Sequence, residues 1–159
     1  MYHTHNSIIV TSRTQSVASL NSHLAAAIDL HGQMKQAHWN IRGPDFIGLH
    51  LLFDKVAVTA ELYSDMIAER VGALGGEAEG TVQVAAKTSY LTPYPFRRAE
   101  AHEHIFAVSV ALAAFGDGIR TSIADAARWG DVATADLFTE MSRGIDAQLW
   151  LIESHRSLE

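Results

Sequence analysis

Helix breakers are confined to a few places in this chain, and that confinement dictates its architecture. The three prolines stand at Pro44, Pro93 and Pro95, each between segments with a helical period. From about Ser16 to Ile41, residues Val17, Leu20, Leu24, Ile28, His31, Met34 and His38 recur three or four apart, which marks one face of a helix. Ser12 followed by Gln15 reads as a capping box at its start. Gly43-Pro44 ends it, and Pro44 and Asp45 suit the first turn of a second helix that runs to about Leu74 and stops at Gly75-Gly76.

Residues 76–95 form a long connection with one short helix expected around Val82–Ala86. A third helix fits Arg97–Trp129 and a fourth Asp131–Ser154, the latter with Leu137, Met141, Ile145, Leu149 and Ile152 on one face. Gly116 and Gly118 inside the third helix each cost about 1 kcal/mol against Ala, and so mark a close helix contact or a kink. Four long helices in one domain predict an all-α four-helix bundle. The two short links make antiparallel neighbours, and the long middle connection is the single crossover of a ferritin-like bundle. The expected plan is a tail over 1–13, the bundle over 14–156 and a C-terminal end over 157–159.

Composition narrows the chemistry. With 48% hydrophobic and 19% charged residues, the 159-residue chain has a globular balance and room for a core. No apolar run approaches the roughly 18 residues that span a bilayer. The opening Met1-Tyr2-His3-Thr4-His5-Asn6 has no signal-peptide pattern, so no membrane role and a cytoplasmic location are expected. There are no cysteines. Any metal must therefore be held by nitrogen and oxygen, which suits iron, manganese or zinc. The net charge is −6, which opposes nucleic acid unless basic residues cluster. Arg97-Arg98 is the only adjacent basic pair.

The informative segment is residues 35–70. With His50 at zero on a helical wheel, Glu61 falls at about 20°, Asp54 at about 40°, Asp65 at about 60° and Glu69 at about 100°. One His and a set of carboxylates share a face, with Ala57 and Val58 between them. A solvated polar face explains such a stripe as well. Against that, the other side, with Lys55, Thr59, Tyr63, Ser64 and Ile67, reads no more apolar than an ordinary exposed surface. His38 lies on the first helix near the turn leading to His50.

Distance adds a constraint. Asp54 and Asp65 are eleven residues apart, about 16 Å along a helix rising 1.5 Å per residue. No ion, and no pair of ions about 4 Å apart, bridges that gap. Two copies of this helix packed antiparallel about a two-fold axis near Thr59 would resolve it. His50 and Asp54 of one copy then face Asp65 and Glu69 of the other, and His38 joins near His50.

At this point a family resemblance becomes specific. The runs Lys35-Gln36-Ala37-His38-Trp39-Asn40-Ile41-Arg42-Gly43-Pro44-Asp45-Phe46, Leu49-His50-Leu51-Leu52-Phe53-Asp54 and Asp65-Met66-Ile67-Ala68-Glu69-Arg70 resemble the Dps family of mini-ferritins. The likeness extends over nearly the whole chain, to Leu149-Trp150-Leu151-Ile152-Glu153. It implies a hollow homo-dodecamer with ferroxidase sites at its two-fold interfaces, ligated by His38, His50, Asp54, Asp65 and Glu69. Two ferrous ions would occupy each site, with zinc or another divalent ion as a substitute. Hydrogen peroxide in preference to dioxygen would take the electrons, and ferric product would mineralise in the cavity, protecting the cell from oxidative damage. Trp39 has two readings, an interface aromatic or a residue that takes up a stray oxidising equivalent. Acids at family-matching positions line an iron-admitting pore, here Asp131, Asp136 and Glu140, although compensation of a helix dipole suffices for Asp131.

Some features depart from the family or stand outside it. Relatives commonly carry a carboxylate directly after the second-helix His, where Leu51 and Leu52 stand here, so oxidation is better supported than mineral nucleation. DNA compaction is the rival function. Residues 1–13 hold no Lys and one Arg, Arg13, which supplies few phosphate contacts, so weak or absent DNA binding is expected. A bundle-internal di-iron enzyme is disfavoured because the chain contains no Glu-x-x-His. His31 reads as a core or interface histidine and His102-Glu103-His104 as surface polar residues, while His3 and His5 have two readings, a weak metal pair or parts of a mobile tail.

Overall fold

A computed structural model describes residues 1–97 and 100–156; Arg98 of the basic pair and the 157–159 end lie outside the described residues. The helices are α1 (Val10–Asn40), α2 (Phe46–Ala73), α3 (Val82–Thr88), α4 (Ala101–Arg128) and α5 (Val132–Glu153). Helix α1 packs chiefly along α2 and α4 along α5, while α1 against α4 and α2 against α5 close the bundle. Side-chain pairs fix the directions. Arg13 meets Leu74 and His38 meets His50 across α1 and α2, and Ser19 meets Ser122 across α1 and α4. Helices α2 and α4 therefore run the same way, and the connection between them must travel the length of the bundle. It does so along α1, with α3 within it. Asn21, Asp29 and Gln33 of α1 pin it by binding Glu77, Ser89 and Thr92. This is a ferritin-like bundle with a short helix in its crossover.

The core holds Leu20, Leu30, Met34, Phe53, Ile67, Leu112, Phe115, Ile119 and Phe138, all fully buried. On α2 the buried side is Leu49, Phe53, Val56, Ala60, Ile67 and Val71, so the helix does have an apolar core face. The sequence reading missed it because the sampled positions straddle that sector. Helix α4 is by length and composition apolar enough to cross a membrane, against expectation. Its apolar residues Val108, Leu112, Phe115 and Ile119 are buried in the bundle.

Two helix starts lie away from where the sequence pattern places them. Helix α1 begins at Val10, inside the expected tail, and Ser12 lies buried in its first turn rather than capping it. The apolar period is missing there because this turn packs on polar groups: the Arg13 guanidinium donates to the Leu74 carbonyl at 3.0 Å, at the end of α2. Residues 1–9 are likewise docked, with the Tyr2 N–H donating to the Gly75 carbonyl at 2.6 Å. Gly75 has φ +77°, and a Cβ there would lie 2.9 Å from the Tyr2 carbonyl oxygen. Helix α4 starts at Ala101 rather than Arg97, because Arg97 is left-handed at φ +63° and Glu100 with Glu103 forms the capping box. His104 is buried rather than at the surface, with its Nδ1 2.5 Å from the Tyr94 hydroxyl.

Candidate metal centre

Two histidines interlock across the α1–α2 seam. The His38 Nδ1–H donates to the His50 carbonyl at 2.8 Å, and the His50 Nδ1–H donates to the His38 carbonyl at 2.9 Å. A carbonyl only accepts, so Nδ1 carries the proton on both rings, which leaves Nε2 as the atom on each that can bind a metal. Metal-binding histidines are commonly held in this way, with the second nitrogen fixed by a carbonyl. The bond also serves the helix, since His38 lies in the last turn of α1 where carbonyls lack helical partners. The rings stack with centroids 3.7 Å apart, and Phe46 lies 5.0 Å from the His50 ring.

Asp54 stands one turn beyond His50. Its Oδ1 is 2.6 Å from the Lys35 ammonium and 3.9 Å from His38 Nδ1. The hydrogen bond from Lys35, with the Lys35 charge in support, holds its carboxyl below the ordinary carboxylate range. Lys35 lies three residues before His38 and so on the same side of α1; its pairing with Asp54 has no signal in the local sequence. Its ammonium is 5.8 Å from the Trp39 ring, which is 65% exposed.

The remaining two carboxylates stand apart. Helix α2 is unbroken from Phe46 to Ala73, so Asp65 is about 16 Å along the axis from Asp54. Asp65 and Glu69 are exposed and take no hydrogen bond or ion pair among the described residues. Among those residues no three His, Asp or Glu side chains converge on one point. The chain thus sets His38 beside both His50 and Asp54 without converging the three on one point, and leaves Asp65 and Glu69 open. On the same face lie Leu51, Val58 and Leu62, between His50 and Asp65, with Ile47 one turn before Leu51, all more than half exposed. This apolar stripe is written in the sequence as spacings of four and seven, interleaved with the carboxylates on the same face.

The other candidates sort cleanly. Asp131 is fully buried; it caps α5 through the Thr134 N–H at 3.1 Å and pairs with Arg70 at 2.5 Å. Burial alone would raise its carboxyl, but the Thr134 hydroxyl, other hydrogen bonds and the Arg70 charge outweigh it and hold the group low. Its carboxylate is engaged inside the subunit, whereas Asp136 and Glu140 are exposed one turn apart. His31 is half-buried and its Nδ1–H donates to the Ala57 carbonyl at 3.0 Å, a third histidine bridge between α1 and α2.

Bundle, crossover helix and histidine–carboxylate seam define the ferritin-like class. The Ferritin-like domain family matches residues 17–158. The chain is 39% identical over 152 residues to the DNA protection during starvation protein of Agrobacterium fabrum, spanning 96% of this chain and 94% of that protein. DpsA14 from Streptomyces coelicolor superposes with a TM-score of 0.91 at 31% identity, over 96% of this chain and 90% of that one. DpsC from the same organism gives 0.91 at 29% identity, over 100% and 94%. The chain belongs to the Dps family.

Proposed function

We propose that this chain is the subunit of an iron-oxidising, iron-storing shell whose reaction centres form between two subunits. The observation that carries this reading is the split ligand set. Two imidazoles with free Nε2 atoms and Asp54 stand at one end of an exposed seam, and Asp65 and Glu69 stand unpaired at the other. The apolar residues between them call for a partner surface, and an antiparallel copy supplies it by symmetry. Donors of nitrogen and carboxylate oxygen suit ferrous iron, and equally zinc.

Iron is the substrate. At each site two ferrous ions meet His38, His50 and Asp54 of one subunit and the partner subunit's Asp65 and Glu69. The incoming ion competes with the Lys35 ammonium for Asp54. Each ion gives one electron to hydrogen peroxide; the O–O bond breaks, and two protons complete two waters. No hydroxyl radical is released, which is the protective value of the pairing. Dioxygen is the slower acceptor. Trp39, exposed beside Lys35, is placed in the reading either as an interface aromatic or as a sink for a stray oxidising equivalent. The shell is a dodecamer in the cytoplasm, and ferric product collects in its cavity. With Leu51 exposed after His50, nucleation there is poor. DNA contact is weak, a reading supported by the lysine-free residues 1–13 and the docked tail.

Stopped-flow iron oxidation with peroxide and with dioxygen tests this reading. His50→Ala should slow the peroxide reaction at least about tenfold while the oligomer elutes unchanged. Oxidation at the wild-type rate would sink the site assignment.

A further inference from the structure

The docked tail carries two histidines that the oxidation chemistry does not use. His3 and His5 are both exposed, and neither makes a hydrogen bond among the described residues. Their rings lie 5.3 Å apart at 86°. A zinc–imidazole bond of about 2.0–2.1 Å puts the ring centre about 3.2 Å from the ion, so two rings on a tetrahedral ion lie about 5 Å apart. The observed separation, an edge-to-face contact, falls at the spacing two imidazoles take up around one ion.

The short segment holding them is anchored on both sides. Before the pair, the Tyr2 N–H donates to the Gly75 carbonyl at 2.6 Å. Beyond it, the Asn6 N–H donates to the Thr4 hydroxyl at 3.2 Å, the Asn6 carboxamide oxygen accepts from the Ile8 N–H at 3.0 Å, and Asn6 Nδ2 reaches the Ala73 carbonyl at 3.5 Å. Anchoring lowers the entropy lost when a ligand is bound. No third His, Asp or Glu joins the pair among the described residues. The remaining positions on the ion are left to water, which makes this a site of modest affinity. Nitrogen donors favour zinc and its neighbours over magnesium or calcium.

We propose that His3 and His5 form a two-imidazole site for a borderline divalent cation such as Zn2+, and that binding there locks residues 1–9 onto the C-terminal end of α2. An ion that prefers the ring arrangement of the docked tail stabilises that docked form by mass action. The site is independent of the inter-subunit centre and does not rest on the oxidation reading.

Calorimetric titration of the metal-stripped oligomer with Zn2+ tests the site. The wild type should bind one more Zn2+ per subunit than the His3→Gln/His5→Gln variant, and Mg2+ should not compete. Equal zinc counts overturn the proposal. Deuterium uptake into the peptide covering residues 1–9 tests the lock. Zinc at ten times its dissociation constant should slow that uptake about tenfold in the wild type and leave the variant unchanged. A lost zinc without slowed uptake leaves the site standing and overturns the lock. Because the comparison is between two proteins with the same α2 ligands, failure of the ferroxidase reading would leave the difference intact.

Discussion

At the scale of single residues, the histidines divide by what their two ring nitrogens meet. His38 and His50 each commit Nδ1 to a backbone carbonyl and keep Nε2 available, the condition for a ligand. His23 commits both: Nε2 lies 2.8 Å from Ser122 Oγ and Nδ1 2.9 Å from the Tyr90 hydroxyl. Burial lowers its pKa from 6.5 to about 4. The unfolded chain therefore binds a proton that the folded chain refuses, and stability held in full above pH 6.5 is lost as pH falls toward 4. The full difference is about 3 kcal/mol, from the size of the shift. Asp131 works lower, because a depressed carboxyl loses its contribution chiefly below its ordinary value of 3.8. Urea unfolding at pH 7 and pH 4.5, at equal protein concentration, separates the two. The wild type should lose about 2–3 kcal/mol more than His23→Gln over that interval. Equal losses would show that His23 is not the acid-sensitive group.

Among the helices, the notable departure from good helix formers is the glycine pair in α4. Gly118 is there for Tyr90: a Cβ would lie 2.6 Å from the Tyr90 hydroxyl oxygen and 3.2 Å from the His23 ring. The crossover is thus sewn to α1 and α4 at one point by a tyrosine that needs the missing side chain. Gly118→Ala should gain about 1 kcal/mol of helix propensity and lose more to overpacking, about 1–3 kcal/mol. Its thermal midpoint should fall, and Tyr90 should become more accessible to iodide quenching. Gly32→Ala is the control, since a Cβ there meets nothing within 4 Å, and it should raise the midpoint. The long helices were readable because Gly and Pro punctuate them and the apolar period runs between. The true start of α1 was not, because Ser12, Arg13 and Ser16 are buried polar residues whose partners lie elsewhere in the fold.

For the whole molecule, the question is where the donors stand. A folded subunit holds two imidazoles and Asp54 near each other, with Asp65 and Glu69 on an exposed, partly apolar seam. If the centre forms between subunits, Leu62→Arg should prevent pairing while α2 keeps its core contacts. The expected outcome is a smaller species by light scattering, unchanged helical ellipticity, and iron oxidation reduced at least about tenfold. Full activity in a monomer would end the shared-site reading. Asp136 and Glu140 belong to the same scale, because a pore exists only in the shell. Replacing both with Ala should slow iron uptake and leave oligomer size unchanged, and undiminished uptake would remove the pore from the account.

The sequence by itself determined the helices, the crossover and the impossibility of a single-chain site. Periodicity, breakers and the rise of a helix are local properties, and eleven residues of helix are too long to fold back on one ion. Only the tertiary structure decided which imidazole nitrogen faces outward, because the carbonyl that holds each Nδ1 belongs to the other helix. Lys35 on Asp54, the withdrawal of Asp131 into an Arg70 pair and the seating of the tail on Gly75 came from the same source. Each depends on contacts between residues far apart in the chain, where no local pattern records who the partner will be. The separation of Asp65 and Glu69 from His50 and Asp54 was visible in both, as a distance in the sequence and as two exposed carboxylates in the fold.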